Sequence, residues 1–164
     1  MKTKKKWMSL LGFCLAFLMA MPVYAAANVA TLSWSLIDSG KHLDWGGSTA
    51  YQTEFNAAIN TWNSYKAGVI RKDSWNTIKD VTISDYSEVS SVVGVTSSAG
   101  TIKFNTYNMQ NLTSTERLNT CTHELGHALG LAHNQVGDVM YAYVSTVTNL
   151  SDNDKASYDA SYNR

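Results

Sequence analysis

The 164 residues carry 13 basic and 13 acidic side chains, enough chain for one domain of ordinary size. Four of the basic ones (Lys2, Lys4, Lys5 and Lys6) stand in the first six residues, whereas every Asp and Glu comes later; without that leader nine basic residues face 13 acidic ones, a net of −4. That balance excludes a nucleic acid or an anionic membrane surface as partner, since both need a basic face.

The leader has a form of its own. A lysine-rich start, an apolar run over 7–23 and the small residues Ala25, Ala26 and Ala27 make a secretory signal peptide. Cleavage after Ala25 or after Ala27 satisfies the small-residue requirement. The competing reading is a retained membrane anchor, but the run is short of about 20 residues and holds Pro22 near its end. A lipoprotein signal fits less well, because Cys14 lies inside the run behind the bulky Phe13. The domain division is therefore a signal peptide over 1–25 and one domain over 26–164. Cys121 is then the lone cysteine, no internal disulfide can form, and stability must come from a core.

Leu32, Trp34 and Leu36 alternate with Ser33 and Ser35, the period of a half-buried strand. The stretch 39–48, with Gly40, Gly46 and Gly47, reads as a loop. A helix follows, capped by Thr49 with Gln52 three residues on. Its stripe of Tyr51, Phe55, Ile59 and Trp62 faces a core rather than a ligand, and Gly68 ends it. Short β pieces are expected over 69–71, 81–85, 92–96 and 101–107, the last two joined by a turn at 97–100. A second helix opens at Thr113 with Glu116 completing a capping box, and a third at Ser151 with Asp154 in the same relation. Strands first and helices last imply an α+β layout.

The chemistry lies in Thr120 to Asn134, which read TCTHELGHALGLAHN. His123 and His127, four apart on a helix, differ by about 40° and project from one face. Two imidazoles so placed can share one ion at about 2.0–2.1 Å. Leu118, Cys121, Leu125 and Leu129 fall on the other side, so Cys121 reads as a buried thiol facing away from the metal. Glu124 stands beside the ligand pair, within reach of an open coordination position. Gly130 can take the positive φ that ends a helix and turns the chain, bringing His133 up as the third ligand. Three nitrogen ligands and one open position make a catalytic rather than a structural zinc site. The competing readings are three ordinary histidines and a zinc site without activity.

His-Glu-x-x-His-x-x-Gly-x-x-His resembles the zinc signature of the metzincin metallopeptidases, and Val139-Met140-Tyr141 resembles their Met-turn. Within metzincins the chain most resembles a small bacterial matrixin-type catalytic domain. Residues 32–36 resemble the first matrixin strand, 100–105 the strand before the active-site helix, and 150–154 with Tyr158 and Tyr162 the C-terminal helix. The resemblance implies a zincin fold: a twisted mixed sheet, a long N-terminal helix, an active-site helix ending at a glycine turn, a Met-turn and a C-terminal helix. It also implies a substrate-binding edge along 91–96 and a pocket lined by Tyr141, Ala142 and Tyr143.

The chain departs from that pattern in several places. His42 is the only histidine outside the signature, so the structural zinc of matrixins is expected to be missing. Calcium is left open, for want of a dense acidic cluster in the central region. No metal-blocking cysteine follows the leader, so cysteine-switch latency is not expected. Ala142 stands where matrixins have proline after Met-Tyr and where some metzincins place a tyrosine ligand. Asp138 reads equally well as an anchor of the Met-turn or as a solvated loop residue.

The function expected is that of a secreted zinc-dependent endopeptidase. His123, His127 and His133 hold one catalytic Zn2+, and Glu124 is the catalytic base that activates a water at the open position. The partner is a peptide or protein in extended conformation. No nucleic acid and no membrane are expected after signal cleavage. The product is extracellular, with cell-wall attachment as an alternative, and the expected state is a monomer. Two rivals make different predictions: a non-catalytic binding module insensitive to chelators, and a zinc hydrolase acting on a non-peptide bond in a closed pocket.

Overall fold

A computed structural model of the chain describes residues 26–164; the expected signal peptide over 1–25 lies outside them. No helix among the described residues is long and apolar enough to cross a membrane.

The strands β1 (Leu43–Gly47), β2 (Ile70–Lys72), β3 (Val81–Tyr86), β4 (Gly94–Ser97) and β5 (Thr101–Asn105) form one sheet in the order β2-β1-β3-β5-β4. The first three neighbouring pairs run parallel and β4 lies antiparallel to β5 at the end of the sheet. The turn expected at 97–100 joins that hairpin, with Gly100 at φ +80. The helices are α1 (Gln52–Tyr65), α2 (Thr106–Met109), α3 (Ser114–Ala128) and α4 (Asp152–Tyr162).

The helical stripe read from the sequence faces inward. Phe55 and Trp62 are fully buried, and Phe55 stands edge-on to Trp45 of β1 and Phe104 of β5, with ring centroids 5.2 and 6.2 Å away. Each such ring contributes about 1.5–3 kcal/mol by leaving water. Trp62 also donates its indole N–H to the Thr122 carbonyl at 2.9 Å, which ties α1 to the middle of α3. The expected α+β architecture is thus present: mixed sheet, long N-terminal helix, active-site helix and C-terminal helix.

Four local expectations are corrected. The segment 32–36 does alternate, with Ser33 and Ser35 exposed, but it is not a strand of the sheet. It runs along the end of α3 instead, where Leu32 N–H meets the Gly130 carbonyl and Leu36 N–H the Ala128 carbonyl, both at 2.8 Å. The first strand lies inside the stretch read as a loop. The glycines of β1 are there for close approach: a Cβ at Gly47 would overlap the Ile83 carbonyl of β3, and one at Gly46 the Asp73 carboxylate. Thr49 does not cap α1, whose N-cap is Tyr51 without a side-chain bond; the Thr49 hydroxyl donates to Asp85 at 2.6 Å and accepts from Tyr51 N–H at 3.2 Å. The last β piece also stops at Asn105, whose side chain accepts the Tyr107 N–H and starts α2.

Candidate metal centre and active site

Both expected capping boxes are formed. Thr113 and Glu116 start α3, and Ser151 and Asp154 start α4. Along α3, Cys121, Leu125 and Leu129 are fully buried while His123 and His127 occupy the other side. Burial, reinforced by the carboxylates of Glu54, Glu124 and Asp85, drives the Cys121 thiol well above its ordinary value.

The helix ends as a glycine-terminated motif. Gly130 has φ +91; its N–H bonds the His127 carbonyl at 2.9 Å, and Leu131 N–H bonds the Gly126 carbonyl at 3.0 Å. A Cβ at Gly130 would also overlap the Ser161 hydroxyl and come within 2.9 Å of the Ser35 Cβ. From this turn the chain doubles back, with Thr31 bridged to Leu131 and Ala132 N–H on the Ala30 carbonyl at 3.1 Å. His133 is delivered by that return.

The structure brings together all three histidines expected as ligands. One nitrogen from each of His123, His127 and His133 lies within 4.8 Å of the other two, and the ring centroids are 4.6, 5.2 and 4.9 Å apart. Two of the rings are fixed from behind. Nδ1–H of His123 donates to the Val139 carbonyl and Nδ1–H of His127 to the Leu131 carbonyl, each at 2.9 Å. That tautomer leaves Nε2 as the lone-pair donor, the backing that metal-bound histidines ordinarily have. Burial holds His123 down to about 3, reinforced by the neighbouring His127, and burial likewise lowers His127. Three imidazoles brought together in this way are a donor set that fits zinc, for which nitrogen is an ordinary ligand at about 2.0–2.1 Å. Among the described residues no fourth His, Cys, Asp or Glu joins the group.

Glu124 is buried beside the histidines and accepts from the Thr96 hydroxyl at 2.6 Å. Burial raises its carboxyl to about 7, with the Thr96 bond opposing the rise. A cleft of about 650 Å³ opens over the centre. Residues 91–96 form one bank; Asn119, Thr120 and the site residues of α3 form the floor; Tyr141, Ala142, Tyr143 and Val144 form the other bank. The expected edge and pocket residues therefore face the same space as the expected ligands.

The segment after His133 is zipped to the Met-turn. Asn134 N–H bonds the Met140 carbonyl at 2.8 Å, and Met140 is buried where a Cβ at Gly126 would overlap its sulfur. Asp138 is buried rather than solvated: it accepts from Gln135 N–H at 3.0 Å and receives the Asn153 amide at 3.1–3.2 Å, which ties the loop before the Met-turn to α4. Three partners escaped the sequence reading. Thr96 on Glu124 joins residues 28 apart. Asn119 holds the far bank by donating to the Val147 carbonyl at 2.7 Å and accepting from Ser145 N–H at 3.0 Å. Asp154 binds the Met-turn besides capping α4. Only the cap had a sequence signal.

Away from the cleft, His42 stands 3.9 Å from Asp38. Asp38, Asp44 and Asp80 converge from three separate segments, a grouping that linear spacing hid. Arg71 grips Asp44 with two bonds of 2.8 and 2.7 Å, and Asp80 accepts the Asp44 backbone N–H at 2.7 Å.

The matrixin family model matches residues 97–163, from the end of β4 through the histidine signature and the Met-turn to the end of α4. Among solved structures, the chain is similar to archaemetzincin from Methanopyrus kandleri, with a TM-score of 0.54 and 11% identity over 78% of this chain and 99% of that one. It is also similar to a chain of the GM1-bound form of the ECX AB5 holotoxin, with a TM-score of 0.55 and 14% identity over 82% of this chain and 87% of that one. At these identities the likeness is one of fold. No curated protein matches the sequence. The matrixin match over residues 97–163 and the shared fold together support a metzincin-like domain.

Proposed function

We propose that this metzincin-like chain is a secreted zinc-dependent endopeptidase. The observation that carries the reading is one constellation. Three imidazoles, two of them locked by backbone carbonyls, converge beside a buried carboxylate on the floor of a cleft whose bank is the last strand of the sheet. Secretion rests on the leader over 1–25, with its lysines, apolar run and small residues.

His123, His127 and His133 would hold the ion. When bound, zinc supplies Lewis acidity, which acidifies a water and polarises a peptide carbonyl. The protein's own groups do the rest. An extended substrate adds to the free side of β4 through main-chain hydrogen bonds, so its carbonyls are held in register with the strand that also carries Thr96. Glu124 takes a proton from the attacking water and returns it to the leaving amine. The raised carboxyl suits both halves of that exchange, because a group near neutrality accepts and releases a proton readily. Tyr141, Ala142 and Tyr143 flank the residue next to the cut bond.

The test is to incubate the protein with a diverse peptide mixture, with and without a zinc chelator, and to map the new termini. The expected result is internal cleavage that the chelator abolishes and added zinc restores. Binding without cleavage, unaffected by chelator, would replace this reading with that of a recognition module.

A further inference from the structure

We propose that Thr96 is the positioning residue of the catalytic base: its hydroxyl pins one oxygen of the Glu124 carboxylate and so fixes where the other one points. The inference rests on Glu124 being the base, as proposed above.

Thr96 lies on β4 and Glu124 in the third quarter of α3, so the contact joins sheet edge to active-site helix. The Thr96 Oγ1 is 2.6 Å from Glu124 Oε2 and 3.0 Å from the Glu124 backbone carbonyl. A hydroxyl has one proton to donate, and the shorter distance is that of a charge-assisted bond to a carboxylate. Among the described residues Thr96 is the only side chain that bonds this carboxylate.

The strand is also cut away to receive it. Gly94 is two residues before Thr96, on the same face, and a Cβ there would come within 2.8 Å of Glu124 Oε1 and 2.9 Å of its Cγ. Val95, between them, is exposed on the opposite face. One carboxylate oxygen is therefore tied to Thr96 and the other rests over bare backbone at Gly94. A glutamate has three side-chain torsions, and a tether at its far end removes the freedom that a base near a reacting atom cannot tolerate. The tether has a further consequence. The strand that holds the base is the strand on which an extended substrate would lie, so base and scissile carbonyl take their positions from the same backbone.

The experiment compares zinc-loaded Thr96→Val, Thr96→Ser and Glu124→Gln proteins by kcat, KM, zinc content and melting temperature. It adds a crystal structure of metal-free Thr96→Val. The expected result is a kcat roughly 10- to 100-fold lower in Thr96→Val, the scale of a small misplacement. KM and zinc content stay unchanged, and Thr96→Ser restores most of the rate. In the metal-free crystal the Glu124 carboxylate should have left the Gly94–Thr96 face, a readout independent of turnover. If Thr96→Val fails to fold, Thr96→Ala, which also lacks the hydroxyl, is the variant measured. Wild-type kcat without the hydroxyl, a serine variant as slow as valine, or an unmoved carboxylate would each overturn the proposal. Full activity in Glu124→Gln would instead overturn the assignment of the base. A dead Glu124→Gln beside a fully active Thr96→Val would remove Thr96 alone.

Discussion

The carboxylate of Asp154 holds the backbone of Met140. It accepts the Met140 N–H at 3.2 Å and the Val139 N–H at 2.9 Å, while also capping α4 through Ser151 N–H at 2.9 Å. The Val139 carbonyl, on the same residue, receives Nδ1–H of His123. One buried carboxylate thus stands two hydrogen bonds from His123, the first of the three proposed metal ligands.

Asp154→Ala leaves three backbone donors without their partner in a fully buried position. It should cost about 3 kcal/mol and lower the melting temperature by about 10 °C. Zinc affinity should weaken with it, because the carbonyl that orients His123 is loosened. Asp154→Asn, which keeps one acceptor oxygen, should lose less. Thermal unfolding and zinc titration of both variants check the ordering.

Gly130→Ala places a Cβ in the left-handed region and against Ser161 and Ser35. A loss of at least about 1–3 kcal/mol is expected from strain alone. Zinc binding should fall further than in a control of equal stability, since this turn carries the Leu131 carbonyl that holds His127 and delivers His133. Equilibrium unfolding with zinc titration measures both.

Cys121 is fully buried and its thiol is raised well above the usual range by that burial. It should resist a thiol reagent in the native protein and react on unfolding in denaturant. Rapid native-state labelling of Cys121, located by peptide mapping, would contradict its placement on the buried side of α3.

Tyr65 donates to Asp159 at 2.7 Å, and that bond, with burial, pushes its phenol up to about 12. Below pH 10 both folded and unfolded phenols are protonated and the contribution is complete. Between pH 10 and about 12 the unfolded chain ionises first, so this contribution is lost as pH rises through that window. Tyr65→Phe should lower stability at neutral pH and flatten the alkaline decline. Melting temperature against pH, from 8 to 12, reads the difference.

What the sequence reveals most clearly is what local periodicity and capping encode. His123, His127, Glu124 and Gly130 work through helical spacing and one positive φ, so their arrangement is written in adjacent residues. The Thr113–Glu116 and Ser151–Asp154 boxes are legible for the same reason. Strand β1 is not, because its glycines serve close approach to β3 and its Asp44 is matched by Arg71 across the β1–β2 pair; both needs arise only after folding. Residues 32–36 show the reverse case, in which correct alternation packs against a helix end rather than in a sheet. Thr96, Asn119 and the second role of Asp154 are contacts across 28, 28 and 14 residues, and no spacing rule announces them.

The most direct measurement is the peptide-hydrolysis rate of zinc-loaded Glu124→Gln beside the wild type, with zinc content determined on both. The account predicts one zinc per chain in each and a rate lower by about 10²–10⁴-fold in the variant. An equal zinc content with an undiminished rate would contradict it.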